Sequence, residues 1–279
     1  MFEYILLLAG LLGFGAAGLL DLKTTEFPDW LPYSMIIFGL GVHGLWALAT
    51  GSAHIFINSL VTGAVLLAFG LALYFTKQWG DGDAWLLGAM GFLFPTSLGF
   101  SSGQTPFQIV LLFNFFFIAF AYLVGYSIII GARNSVVRKK FMAGLSRDRK
   151  GLAGMIAAFT GACLGLAGLM TYTYGVPLDM LTNILLMPFL LAFILLFIRY
   201  CRLIESDVFK KKVSASKLRI GDVLVDKKWK GLTEKELKTL RGRGGTYVVK
   251  EGVRFAPVFI MTMIISLFFG NIMPFFLFR

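Results

Sequence analysis

The sequence predicts an all-α polytopic membrane protein of about eight transmembrane helices, with a small cytoplasmic α/β insertion before the last helix. Three observations support this fold class. Of the 279 residues, 57% are hydrophobic, 29 are Phe and only 15% are charged. The apolar residues form long runs, and about 20 helical residues are enough to cross ~30 Å of hydrocarbon. One stretch, 199–254, instead has the mixed composition of a soluble protein.

Eight apolar segments account for the predicted helices. They are 2–20, 31–49, 54–75, 84–98, 107–131, 151–171, 180–198 and 255–277. The first has no basic segment before it and no small-residue cleavage site after it, which predicts a retained helix and not a cleaved signal peptide. The fourth is short for a full crossing and contains Pro95, so we expect a distorted or recessed helix there.

The segments group into five predicted domains. These are a membrane domain of five helices at 1–131, a basic interfacial loop at 132–150, an extra helix pair at 151–198, a soluble domain at 199–254 and the last transmembrane helix at 255–279. In the soluble domain, Thr233 and Glu236 form a capping-box pattern that predicts a short helix at 234–241. The flanking stretches 218–225 and 246–250 have the composition of strands.

The positions of the basic residues predict which side of the membrane each loop faces. If the eight spans alternate, the loops 21–30, 76–83, 132–150 and 199–254 lie on one side and contain 25 of the 26 Lys and Arg. Only Arg279 falls on the other side. The basic side is cytoplasmic by the positive-inside rule. The net charge of +11 therefore reflects topology and attraction to anionic lipid, and we expect no nucleic-acid partner.

Two acids at the cytoplasmic boundary are the candidate catalytic residues. Asp21 ends the first apolar run, and Asp83 ends the turn Gly80-Asp81-Gly82-Asp83 before the fourth. A carboxylate at such a place is costly and is a functional candidate, and the glycines allow a sharp turn and a close approach. Two neighbouring carboxylates share one proton, so the pair can supply a general base for water and a general acid for a leaving amine without a metal or another cofactor.

The surroundings of these two acids are themselves acidic. Residues 21–30 and 77–83 together contain five acids and two lysines, in a strongly basic protein. A local acidic patch predicts a substrate segment that carries Lys or Arg, with Glu26, Asp29 and Asp81 as the candidates to bind it.

The two motifs resemble those of a known family. GDGD fits the GxGD signature of intramembrane-type aspartic peptidases, and DLKTTEFPDW is similar to the D-x-K/R-x-x-x-I-P-D/N loop of type IV prepilin peptidases. The archaeal preflagellin (archaellin) peptidase branch is the most similar, because it also has a cytoplasmic insertion before its last helix. The resemblance implies that Asp21 and Asp83 are catalytic, with Lys23, Gly80 and Gly82 in the supporting or substrate-binding loops. It also implies substrates that are archaellin or pilin-like precursors, cut at the cytoplasmic face between a short basic leader and an apolar helix.

The sequence departs from the family pattern at several places. Trp85 stands where relatives often have Lys, and Asp81 adds an acid at the variable position of the signature. The helix pair at 151–198 is extra relative to a core of six helices. Only Cys163 and Cys201 are present, so no four-cysteine zinc loop is expected.

Other functions remain open at this point. Asp81 and Asp83 could bind Mg²⁺ in an enzyme that acts on lipid phosphates, or boundary carboxylates could couple protons in a transporter. The pattern GFSSG at 99–103 matches G-x-S-x-G, with His54 predicted on the same side of the membrane, which would suit a serine peptidase. The simplest alternative is that the boundary acids only cap helices or, as for Glu26 and Asp29, are solvated.

Overall fold

The computed structural model describes residues 1–100, 105–175, 177, 182–219, 221–225, 231–250 and 252–272. In these ranges the chain forms ten α-helices and three short strands. The helices are α1 (Phe2–Thr24), α2 (Trp30–Thr50), α3 (Ala53–Phe75), α4 (Asp81–Leu93), α5 (Phe107–Arg133), α6 (Ser135–Arg147), α7 (Arg149–Tyr174), α8 (Thr182–Asp207), α9 (Glu234–Arg243) and α10 (Pro257–Phe268). The strands are β1 (Lys210–Ser214), β2 (Val223–Leu224) and β3 (Thr246–Lys250).

Six of the described helices are long and apolar enough to cross a membrane. They are α1, α2, α3, α5, α7 and α8. The predicted class of a mostly helical, polytopic membrane protein is therefore confirmed. The prediction of eight crossings goes further than this, because α4 has 13 residues and α10 has 12 in the described part of the chain.

The chain divides into two compact units. The first comprises Met1–Val124 and Gly252–Arg279, and the second comprises Gly125–Glu251. The first unit therefore contains both acids of the predicted catalytic pair, together with the last described helix.

Helix α4 lies at the centre of the first unit, and most of its side chains are fully buried. Glycines make this packing possible, because a Cβ added at Gly70 of α3 would lie 2.9 Å from the backbone of Ala84. At the other end of α4, the Ser59 hydroxyl of α3 donates a hydrogen bond of 2.7 Å to the Phe92 carbonyl. The short, recessed fourth helix expected from Pro95 is thus enclosed by its neighbours.

Helices α1 and α10 pack along each other in the same unit. The rings of Phe14 and Phe259 stack with centroids 6.2 Å apart, and a Cβ at Gly18 would lie 3.3 Å from Pro257. Asn114 of α5 donates hydrogen bonds to the Ser266 hydroxyl and to the Gly270 carbonyl, which ties α5 to the end of α10. Such polar contacts between helices are typical of membrane proteins.

The second unit contains α6 to α8 and a small α/β subdomain. The basic segment after α5 forms helix α6, whose N-terminus is capped by the Asn134 side chain. In the subdomain, β3 pairs antiparallel with both β1 and β2, and Leu218, Leu237 and Val249 belong to its small core.

Three details of the soluble segment differ from the sequence prediction, and one agrees. The capping box of Thr233 and Glu236 is present, but α9 continues to Arg243 before Gly244 ends it. The strand predicted at 218–225 is limited to β2, because the Arg219 N–H donates to the Asp222 carboxylate in a turn. Strand β1 was not predicted, since a run of three lysines lacks the apolar alternation that marks a strand.

Candidate active site

Asp21, the acid that the sequence places at the end of the first apolar run, is buried. Its side chain lies in the last turn of α1, and the residue is 6% exposed. The helix ends four residues later, where Thr25 adopts a left-handed conformation and its N–H donates to the Asp21 carbonyl at 2.9 Å. A carboxylate enclosed in this way must find polar partners within the protein.

Asp83 lies in the first turn of α4. Gly80 is the N-cap of this helix, and its N–H donates a hydrogen bond back to the Asp83 carboxylate. A capping box consists of two hydrogen bonds, and this is the one in which the side chain of the third helical residue accepts from the N-cap N–H. A Cβ at Gly80 would lie 3.2 Å from Asp83 Oδ2. The glycine therefore leaves room for the Asp83 carboxylate to approach the N-cap.

The two sequence motifs meet through Phe27. A Cβ added at Gly82 would lie 2.7 Å from Phe27 Cζ, so the ring rests directly on the backbone of the GDGD turn. Phe27 belongs to the loop that follows Asp21, and Gly82 precedes Asp83. The Phe27–Gly82 contact therefore joins the segment that contains Asp21 to the segment that contains Asp83.

The Asp21 and Asp83 carboxylates are close enough for their charges to interact. Burial raises the pKa of Asp83 to about 7, and the negative charge of Asp21 acts in the same direction, as does that of Asp81. The hydrogen bond from Gly80 opposes this shift. Asp83 can therefore hold a proton near neutral pH, as one member of an acid–base pair must.

Asp81 and Asp29 form a second pair of acids at the same site. Partial burial, followed by the charge of Asp29, raises the pKa of Asp81. Both residues are exposed, as are Lys23 and Glu26 in the loop after α1. Among the described residues, no hydrogen bond or ion pair is formed by the side chain of Lys23 or of Glu26. These side chains remain available to a substrate.

Trp85, two residues after Asp83, has a structural contact with α2. Its ring packs edge-on against Tyr33 of α2, with centroids 4.7 Å apart. This aromatic pair stabilises the start of α4 against α2, and no positive charge reaches the site from this position.

The structure adds two site residues that the sequence analysis missed. The Ala256 N–H donates a hydrogen bond of 2.8 Å to Asp21 Oδ2, and the Arg254 guanidinium acts on the same carboxylate through its charge. Both residues lie just before α10. Ala256 contributes only a backbone group, so the sequence contains no signal for it. A basic residue directly before an apolar run was the available signal for Arg254.

The sequence also left a metal site and a serine-peptidase site open, and the described residues do not form a complete site of either kind. Within them, no group of three or more His, Cys, Asp or Glu side chains is arranged to hold a metal ion. Ser101 of the G-x-S-x-G pattern lies outside the described residues. His54 lines a cavity of about 250 Å³ together with His43, whose Nδ1 lies 2.8 Å from the Gly39 carbonyl.

Comparison with known proteins assigns the family. Residues 6–130 match the model of the type IV leader peptidase family, and this range includes both Asp21 and Asp83. No curated protein and no solved structure matches the chain significantly. The family predicted from the two motifs is thus confirmed. Over residues 6–130 the chain is similar to the type IV leader peptidase family, and this match indicates an aspartic-type leader peptidase in the membrane.

Proposed function

We propose that this protein removes short basic leader peptides from archaellin and type IV pilin-like precursors at the cytoplasmic face of the membrane. The observation that supports this most is the placement of Asp21, buried at the end of α1, next to Asp83 at the start of α4. The clustering of Lys and Arg in the loops on the side of both acids supports the cytoplasmic location.

The proposed reaction uses the two carboxylates as a general base and a general acid. The unprotonated member takes a proton from a water molecule, whose oxygen forms a bond to the carbonyl carbon of the scissile peptide. The protonated member then gives its proton to the leaving nitrogen as the carbon–nitrogen bond breaks. One proton is thus taken up and one is released, so the pair again holds a single proton, now on the former base. Transfer of this proton back to the other carboxylate restores the initial state.

The acidic surroundings support a basic leader as the substrate segment. Glu26, Asp29 and Asp81 are exposed around the dyad, and they can attract Lys and Arg residues of a leader that lies in the cytoplasm. The apolar helix of the precursor would remain in the membrane beside the enzyme. The scissile bond between leader and helix would then lie at the level of the dyad.

Replacement of either catalytic aspartate tests the proposed function. We expect Asp21→Asn and Asp83→Asn each to lower cleavage of a co-expressed leader-bearing precursor by about 10²–10⁴-fold, because either change removes half of the acid–base pair. The size shift of the precursor on a gel measures cleavage. Asp148→Asn is the matched control, since it removes an exposed carboxylate in the other unit.

Near-normal cleavage by Asp83→Asn or by Asp21→Asn would contradict the dyad. Treatment with EDTA separates it from the Mg²⁺ alternative. Unchanged cleavage is expected for the dyad, whereas a loss that Mg²⁺ reverses would favour an ion bound at Asp81 and Asp83.

A further inference from the structure

The segment Arg254–Pro257, which we call the strap, passes beside the proposed dyad just before and at the start of α10. It lies outside residues 6–130, the range that matches the family model. It belongs to the same compact unit as Asp21 and Asp83.

Contacts to three other parts of the unit hold the strap. The Tyr122 hydroxyl of α5 donates a hydrogen bond of 2.6 Å to the Arg254 carbonyl. The ring of Phe255 packs against Trp79, with centroids 5.7 Å apart, just before the GDGD turn. Pro257 lies against Gly18 of α1, where a Cβ would approach to 3.3 Å. The strap is therefore a fixed part of the site.

The strap directs a backbone donor at Asp21. The Ala256 N–H lies 2.8 Å from Asp21 Oδ2, and both residues are buried. A hydrogen bond to a carboxylate is stronger when the carboxylate is ionised, and the N-terminus of α10 adds a favourable partial charge. This contact therefore stabilises the unprotonated form of Asp21 and fixes its orientation.

Arg254 contributes the positive charge beside Asp21. Its guanidinium interacts electrostatically with the Asp21 carboxylate. Its Nε is buried and has no hydrogen-bond partner among the described residues. A buried guanidinium nitrogen without a partner is costly, so a structural role alone accounts poorly for this side chain.

We propose that Arg254 and Ala256 are positioning residues of the dyad, which hold Asp21 in place and unprotonated so that Asp83 carries the shared proton. This inference rests on the proposed function, and it assigns the two roles: Asp21 is the general base and Asp83 the general acid. Neither positioning residue touches the substrate. Their loss should slow the chemical step and leave substrate binding intact.

Replacement of the arginine gives the main test. We expect Arg254→Met to lower kcat for a leader-bearing precursor by about 10- to 100-fold, with KM changed less than about twofold. Arg254→Lys should recover a large part of kcat, because it restores the charge. Arg243→Met, which removes an exposed arginine of α9, is the matched control and should retain wild-type kcat.

The backbone donor is tested separately. Ala256→Pro removes the N–H, and the φ of −56° at this residue already suits a proline ring. Ala256→Gly keeps the N–H and is the control. We expect kcat to fall in the proline variant and to stay within about threefold of wild type in the glycine variant. Thermal unfolding in detergent shows which variants are folded.

Two results would overturn the inference. One is wild-type kcat in a folded Arg254→Met protein, and the other is a change confined to KM. If Asp21→Asn and Asp83→Asn lose cleavage while the strap variants keep it, the inference fails and the dyad stands. If Asp21→Asn still cleaves, the inference and the proposed function both fail.

Discussion

Asp21 and Asp83 have different surroundings, and this difference suits an acid–base pair. Asp21 is almost fully enclosed and accepts an N–H from the start of another helix. The carboxyl group of Asp83 is also removed from solvent, and it lies near a further acid, Asp81. Burial and neighbouring negative charge both favour the neutral carboxyl form of Asp83. Two identical side chains can therefore perform opposite roles.

We expect kcat for leader removal to fall as the pH rises through about 7, because Asp83 then loses the proton that the leaving amine requires. Asp81→Asn should move this alkaline limb to lower pH, since the charge of Asp81 is one of the causes that raise the pKa of Asp83. The measurement is a pH profile of kcat. Glu3→Gln, at the opposite end of α1, is the control. If the pH at which kcat falls were the same in Asp81→Asn as in the wild type, the assignment of Asp83 would be contradicted.

The individual residues of the site were predictable only where a side chain follows a motif. Asp21 and Asp83 are predicted as the catalytic pair because each follows or precedes an apolar run within a characteristic pattern. Ala256 could not be found, because a backbone N–H looks the same at every residue and this donor lies 235 residues from its acceptor. The contact of Phe27 with Gly82 depends on tertiary packing, which spacing along the chain does not reveal.

Among the helices, α4 is the one that positions the chemistry. It begins at the GDGD turn and is held by α3, whose glycines allow the two backbones to approach closely. Because Ala84 directly follows Asp83, the contact of Gly70 with Ala84 fixes the height of the acid along α3. A small displacement of α4 would move Asp83 relative to Asp21, and catalysis is sensitive to such shifts.

Gly70→Ala tests this dependence. The added Cβ would lie 2.9 Å from the Cα and the carbonyl oxygen of Ala84, so the start of α4 must shift. We expect a loss of about 1–3 kcal/mol in stability together with a lower kcat. Gly41→Ala on α2 is the matched control, since a Cβ there meets nothing within 4 Å. Wild-type kcat and unfolding temperature in Gly70→Ala would contradict the packing argument.

The long helices were predictable from hydropathy, whereas the short elements were not. Apolar runs placed five of the six long helices to within a few residues, because length and composition decide whether a segment can cross a membrane. The sixth, α8, continues to Asp207, nine residues beyond its predicted end at 198. Strand β1 is Lys-rich and depends on its pairing with β3. Strand β2 has only two residues, since the turn in which the Arg219 N–H donates to the Asp222 carboxylate precedes it. Such elements are decided by tertiary contacts and not by local pattern.

Charge is distributed unevenly over the molecule. The protein has 26 Lys and Arg against 15 Asp and Glu, yet the loops that carry the dyad are acidic. Under the proposed function, a basic leader would be attracted to these acidic loops. Exposed charges act mainly on encounter and selectivity, and their effect decreases with salt.

Reversing the leader charges tests this model of recognition. Since an exposed ion pair contributes about 0.2–1 kcal/mol, we expect kcat/KM to fall by about two- to fivefold for each Lys or Arg changed to Glu. Asp29→Lys should recover part of the loss with the reversed leader, and Glu3→Lys should not. Equal cleavage of the normal and reversed leaders at low salt would remove Asp29 and its neighbours from recognition.

The hydrogen bond between Asp21 and Ala256 also has a consequence for biosynthesis. Once Asp21 has been synthesised, the ribosome must add 235 further residues before the donor to that acid exists. A nascent chain therefore holds one carboxylate at the membrane without the donor that orients it. Proteolytic activity would begin only after the chain has been made through Ala256, so chains that stop before this residue would leave precursors uncut.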